Sequence, residues 1–221
     1  LSGPPSLKSS CILILSSIDF AKDPNNCMKF SPILSSLSAL LPFAASGALV
    51  AHYPLDTDAS DASGNGYDGS VVGGTVNFGQ PGANGNTGTS AAFPNNGHID
   101  VPFNSALNPA SYTVTLWANA SSTNGFASPI TSRDDTPDSV HGFIVYNDNN
   151  GNWNNWTGTG GPSGAWDQLS GGPISIDTWT HLALSYDAAT NTKSFYVDGS
   201  LAGTKNTGAL YSPNGTVESE N

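Results

Sequence analysis

The residues in this chain best suited to chemistry are aromatic rings set among amides. Asn152-Trp153-Asn154-Asn155-Trp156-Thr157 and Gly164-Ala165-Trp166-Asp167 place three tryptophans in a polar, turn-rich setting. Sugar rings present C–H faces that stack on aromatic planes, while Asn and Asp side chains pair with hydroxyls. Trp153, Asn154, Trp156 and Trp166 are therefore candidate ligand-binding residues. Trp153 and Trp156 are three positions apart and point to opposite faces of an ideal strand, so at most one of them reaches solvent. Arg133-Asp134-Asp135, with Asp138 and His141 nearby, forms a second polar loop. Arg133 and Asp134 join the candidate set as the lining of a groove; the alternative is a solvated hairpin connection.

Asp56, Asp58, Asp61, Asn65 and Asp68 make an oxygen-rich stretch, the ligand type that calcium prefers. The helix–loop–helix calcium pattern fails, because Asp61 stands where glycine is needed and no glutamate closes the loop. Two readings stand side by side. Either Asp56, Asp58, Asp61 and Asn65 hold a structural calcium, or they satisfy the backbone of a turn. No other cofactor is expected.

Catalytic arrangements are missing from the sequence. Glycoside hydrolysis generally needs two carboxyl groups flanking the scissile bond, yet glutamate occurs only as Glu218 and Glu220. His52, His98, His141 and His181 are scattered, without His-Glu-x-x-His spacing. No Gly-x-Ser-x-Gly elbow or phosphate loop is present either. The expectation is a protein that is not an enzyme.

Charge narrows the partners. The formal net charge is −11, and beyond Lys29 the only full positive charges are Arg133, Lys193 and Lys205. Phosphate backbones and anionic membrane surfaces are bound by clustered cations, so nucleic acid is excluded as a partner. A glycan or an extracellular protein remains. Both cysteines, Cys11 and Cys27, precede residue 28, so nothing after them can form a disulfide.

The elements that must position these residues read as strands. Tyr112 to Trp117 alternates with period two, and Gly142 to Tyr146, Trp179 to Tyr186 and Lys193 to Val197 are further strands. Asp198-Gly199 separates two strand-like runs, the strongest short hairpin signal, since both turn residues tolerate positive φ. Charged residues make up only 10 %, too few for long amphipathic helices. The fold class is all-β, an antiparallel two-sheet jelly-roll sandwich.

The stretch His52-Tyr53-Pro54-Leu55-Asp56 with Asp61 to Gly69 resembles the opening of laminin-G-like jelly rolls of the concanavalin A-like lectin and glucanase superfamily. Trp179 to Asp187, followed by Phe195-Tyr196-Val197-Asp198-Gly199, resembles that family's paired central strands, and Tyr112 to Trp117 the strand between them. The resemblance covers about Leu49 to Lys205. It implies a sandwich in which the first turn, with a late Ile-Asp strand, holds calcium. It also raises glucanase activity, whose Glu-x-Asp-x-x-Glu strand is not found here. The family's Gly-x-Ile-Asp strand is likewise not found after the Asp-Gly hairpin, which implies a C-terminally truncated sandwich lacking its final strand or strands.

Met28-Lys29-Phe30, an apolar stretch from Pro32 to Ala45 and the small residues Ser46-Gly47-Ala48 form the three parts of a secretory signal. Its prolines and serines make it too interrupted to span a membrane. The expected organisation is a spurious or removed extension over 1–27, a signal peptide over 28–48, the jelly roll over 49–210 and a truncated tail over 211–221. No membrane-spanning segment is expected in the mature chain. The expected function is a non-catalytic module, secreted or at the cell surface, that recognises carbohydrate or a surface protein. Alternatives are a structural or adhesive domain without a glycan pocket and the auxiliary domain of a truncated enzyme. Asn119, Asn155 and Asn214 begin Asn-x-Ser/Thr sequons.

Overall fold

Alternation dominates the chain because most strands bury one face only. In Trp179–Asp187 the side chains of Thr180, Leu182, Leu184 and Tyr186 are buried, and those between them are not. A computed structural model describes residues 48–135 and 138–215, together with the backbone of 7–15. In chain order the strands are β1 (Leu7–Leu15), β2 (Leu49–Tyr53), β3 (Ser70–Gly73), β4 (Asn77–Pro81), β5 (Thr89–Phe93), β6 (Gly97–Asp100), β7 (Tyr112–Ala120) and β8 (Ala127–Thr131). They continue with β9 (Asp134–Asp135), β10 (Val140–His141), β11 (Phe143–Asn147), β12 (Asn152–Gly158), β13 (Trp166–Pro173), β14 (Trp179–Asp187), β15 (Thr192–Val197) and β16 (Ser200–Lys205). A 3₁₀ turn at Ser105–Leu107 is the only helical element among the described residues.

The larger sheet has the order β16-β15-β14-β7-β1-β5-β4, with β2 also paired to β1, and the smaller has the order β13-β12-β11-β8. Neighbours in both sheets are antiparallel. The two sheets close on a core of Val114, Leu116, Leu182, Leu184 and Phe195 from the larger and Phe143, Val145, Trp153 and Leu169 from the smaller. Each such side chain stabilises the fold by about 1.5–3 kcal/mol through the apolar area it removes from water. The antiparallel jelly-roll sandwich is thus the observed architecture, and the Asp198-Gly199 turn has the expected positive φ at both residues, 48° and 75°.

Three features were not read from the sequence. Strand β1 lies in the stretch expected to stand outside the mature fold, yet it pairs with β7 on one side and with β2 and β5 on the other. Its run Cys11-Ile12-Leu13-Ile14-Leu15 has the β-branched, apolar make-up of an interior strand. The expected signal segment 28–48 lies outside the described residues except for Ala48.

After β16 the chain packs back on the sandwich over its described part. Leu210 is buried, Thr157 Oγ1 donates to its carbonyl, and Tyr211 packs on Tyr112 and Tyr186 with ring centroids at 4.9 and 5.2 Å. Finally, the hairpin β8–β11 does not stop at its sheet but kinks and continues as β9–β10. The kink falls at Gly142, whose φ is +78° and where a Cβ would lie 2.0 Å from the Ser132 carbonyl oxygen. Only glycine fits that approach.

Candidate functional site

The outer face of the smaller sheet carries the most distinctive side chains. Phe143, Val145 and Trp153 face the core, which turns the alternate residues Ile144, Tyr146, Asn154 and Trp156 to the other side, where Tyr146 and Trp156 are half-buried and Ile144 and Asn154 are buried. On β13, Leu169 faces the core, which turns Trp166 and Gln168 outward. The register then fixes their arrangement. Gly158 stands opposite Trp166, Trp156 opposite both Gln168 and Ile144, and Asn154 opposite both Ser170 and Tyr146.

Trp166, Trp156 and Tyr146 therefore step diagonally from strand to strand, one row at a time. Phe126, just before β8, completes the line. Tyr146 meets Trp156 at 5.2 Å between ring centroids and Phe126 at 5.3 Å, both edge-to-face. Phe126 also touches Trp156, at 5.9 Å. Edge-to-face packing of this kind holds each ring in place by about 0.5–1.5 kcal/mol per pair beyond burial.

Polar groups frame the strip. Arg133 Nη1 donates to the Tyr146 hydroxyl at 3.4 Å, and Arg133 Nη2 lies 3.9 Å from Asp135 Oδ2. Asn154 Nδ2 donates to Asp148 Oδ2 at 2.7 Å, which orients the amide beside Tyr146. The buried indole Nε1 of Trp156 has no hydrogen-bond partner among the described residues. The core indole Nε1 of Trp153 is in the same position, so the orphaned donor does not by itself single out Trp156.

Of the residues picked out in the sequence, Trp156, Trp166, Asn154 and Arg133 are brought to this face. Trp153 is not. It is 1 % exposed and is the largest fully buried side chain of the core, so it cannot stack on a ligand. The bulge between Trp153 and Asn154 occurs in pairing with β13 and does not alter the alternation that separates the two tryptophans. Asp134 is also turned away: it is buried, and it sits on the face of β9 opposite to Arg133 and Asp135.

Tyr146 and Phe126 were not picked out. Tyr146 was not legible from alternation alone, because Ile144 beside it is as apolar as Phe143 and Val145. Phe126 was hidden for another reason: it lies in a loop whose path no periodicity reveals. The three sequon asparagines are buried at 8, 0 and 3 % exposure for Asn119, Asn155 and Asn214, so the folded domain offers none of them to a glycan.

The acidic stretch near the N-terminus is organised by its own backbone. Asp61 accepts from His52 N at 2.9 Å, Ser63 N at 2.9 Å, Ser63 Oγ at 2.8 Å and Tyr67 N at 3.1 Å. Burial pushes its carboxyl up, but these hydrogen bonds outweigh burial and hold it below the usual carboxylate range. Asp58 Oδ1 accepts from Ser60 N, Asp56 Oδ1 from Thr89 N, and Asn65 Nδ2 donates to the Leu49 and Val50 carbonyls. The four candidate calcium ligands thus point into different hydrogen bonds. Among the described residues no three His, Cys, Asp or Glu side chains are grouped to hold a metal ion.

Asp61→Asn is expected to lower stability by about 1–3 kcal/mol, since donors buried around it lose their acceptor. If the turn is held by hydrogen bonds, the drop in melting temperature is the same in calcium and in chelator. For wild type, a carboxyl held low in the folded state contributes stability above the unfolded pKa and loses it as pH falls through the folded value.

The relatives bear on the sandwich as a whole. A laminin-G-type family model, described as the concanavalin A-like lectin/glucanases superfamily, matches residues 93–218. The chain belongs to that superfamily. The match begins at the end of β5 and takes in both the aromatic strip and the paired strands β14 and β15. No curated protein matches the chain. Among solved structures, a similar one is domain 4 of AbnA, a GH43 extracellular arabinanase from Geobacillus stearothermophilus, in complex with arabinotriose. It is 25 % identical, with a TM-score of 0.54, over 75 % of this chain and 79 % of that one. Superfamily membership gives the architecture, but an activity has to be argued from side chains.

Proposed function

We propose that this chain is a non-catalytic carbohydrate-binding module, secreted or held at a cell surface, that binds an extended neutral glycan along the strip Trp166–Trp156–Tyr146–Phe126. The observation that carries this reading is the diagonal of partly exposed aromatic rings that runs over β13, β12 and β11 to Phe126 just before β8. Such a line offers successive stacking planes to successive sugar units, while the exposed Gln168 and the partly exposed Arg133 supply hydrogen bonds beside it.

Neutrality of the ligand follows from charge. Lys193 and Lys205 are committed to Asp167, and a single arginine cannot neutralise a polyanion. The arabinotriose held by the similar arabinanase domain makes arabinan the first glycan to try. The non-catalytic part of the reading is supported by the carboxylates: the described residues contain no glutamate. Asp56, Asp61 and Asp167 are each engaged in structural hydrogen bonds.

The test is calorimetric titration of the full chain with arabinan oligosaccharides and a panel of other neutral glycans. Saturable binding is expected, weakened roughly 10–100-fold by Trp156→Ala, the scale of an aromatic hot spot. Both proteins should still melt cooperatively. Binding that survives Trp156→Ala and Tyr146→Ala unchanged would overturn the assignment of the site. A folded wild type that binds no glycan would leave the structural or adhesive role instead.

A further inference from the structure

We propose that the outer face of the larger sheet is a second glycan-binding surface, so that one domain bridges two neutral polysaccharide chains. The inference rests on the reading of the first strip as a glycan site and extends it to the opposite side of the sandwich.

The burial of Leu116, Leu182, Leu184 and Phe195 turns Trp117, His181 and Tyr196 outward. Trp117 stands directly opposite His181, and their rings meet at 5.1 Å with an interplanar angle of 60°. Trp179 lies two residues before His181 on the same face. One row further along, Ala183 is opposite Tyr196, and Tyr196 is opposite Leu201, which is 55 % exposed. Aromatic and apolar side chains therefore cross four strands, β7, β14, β15 and β16. None of them is needed to close the core, which lies on the other side.

The occupant follows from what surrounds the rings. Between Asp187 and Asp198 the outward positions of β14 and β15 carry no charged side chain, only hydroxyls such as Ser185 and Ser194 beside the aromatics. Among the residues whose side chains are described, no cation lies on this face to neutralise an anionic polymer, because Lys193 and Lys205 both turn inward to Asp167; Lys8 of β1 stands in register with Asn119, and one lysine alone does not bind a polyanion. A second copy of a chain with formal charge −11 would be repelled rather than drawn in. The His181 ring accords with an uncharged surface: burial holds its pKa down, against the pull of Asp198, so the neutral imidazole prevails at neutral pH. An uncharged face of rings and hydroxyls matches an uncharged polymer of C–H faces and hydroxyls.

The two faces look in opposite directions across a sandwich whose sheets lie about 10 Å apart, so one short oligosaccharide cannot touch both. Two sites on one domain convert weak binding to avid binding wherever polysaccharide chains are dense, by as much as 10²–10⁴-fold.

The experiment uses the full chain and a panel of soluble neutral polysaccharides (arabinan, galactan, xylan and mixed-linkage glucan). Affinity electrophoresis selects the retained polymer. Its short oligosaccharide is then titrated into wild type, Trp156→Ala, the pair His181→Ala with Tyr196→Ala, and the combination of all three. The expected stoichiometries are two, one, one and none, and only wild type should precipitate the polymer. If Trp156→Ala alone abolishes binding and the His181/Tyr196 pair leaves it intact, the second surface falls while the first stands. Retention of no polymer by the folded wild type would sink both. A sedimenting dimer that the His181/Tyr196 pair dissolves would replace the glycan with a second copy.

Discussion

Alanine in place of Trp153 is expected to destabilise the domain by about 3–5 kcal/mol, the scale for truncating a fully buried tryptophan. The indole is 1 % exposed and packs within the cluster that joins the two sheets. Removing it loses its transfer free energy and leaves a cavity that backbone hydrogen bonds on both sides keep from collapsing. Against a typical total of about 5–15 kcal/mol, that is a large share of the stability of the fold. Urea unfolding should show a much lower midpoint with a similar slope.

The result has reach beyond one residue. Side chains alternate with period two, so if Trp153→Ala left the midpoint where it was, the whole of β12 would be turned over. Trp156 would then face the core and Asn155 the solvent, and the aromatic strip would not exist. A large effect at 153 beside retained folding at 156 fixes the face on which any ligand must lie.

How far the sequence could have led depends on the kind of information each residue carries. Period-two alternation made β7, β14 and β15 legible, the apolar run Phe143 to Tyr146 did the same for β11, and Asp198-Gly199 marked its turn because so few residue types accept positive φ there. The spacing of Trp153 and Trp156 showed that only one could be exposed. Which one it is depends on the other sheet, since only the approach of Leu182, Leu184 and Phe195 decides the inward side.

Long-range pairing was not legible. Nothing local ties Tyr146 to Phe126 or puts Lys193 beside Asp167, 26 positions away. Asp61 shows a different limit. Its sequence neighbourhood allows both a calcium ligand and a turn acceptor, because the two use the same oxygen atoms, and the donors that surround it in the fold come from His52, Ser63 and Tyr67.

Asp167→Ala is expected to be the most damaging change to a polar residue. Lys193 is fully buried on β15, and its Nζ donates at 2.9 Å to each of three acceptors: Thr157 Oγ1, the Asp167 carbonyl and Asp167 Oδ1. Lys205 Nζ donates to Asp167 Oδ2 at 3.0 Å, so one carboxylate serves two ammonium groups and ties β15 and β16 to β13. Removing one partner of such a buried pair leaves a charge without a counterion, at a cost of about 3–5 kcal/mol.

The pH dependence carries the diagnosis. Burial lowers the Lys193 pKa from 10.5 to about 8, opposed by Asp167. Between those values the unfolded chain binds more protons than the folded one, so this group makes stability rise with pH from about 8 to about 10.5. Below 8 it contributes no slope. Taking Asp167 away removes an attraction that favoured the charged form, so in the variant the rise should begin at lower pH and recover part of the loss. Lys193→Met should lack the rise altogether, because nothing is left to titrate. Chemical unfolding of the three proteins between pH 6 and 10 reads both effects. A deficit in Asp167→Ala that stays constant across that range would mean Lys193 is not held desolvated between the sheets, and that the staple is an ordinary surface ion pair worth about 1 kcal/mol or less.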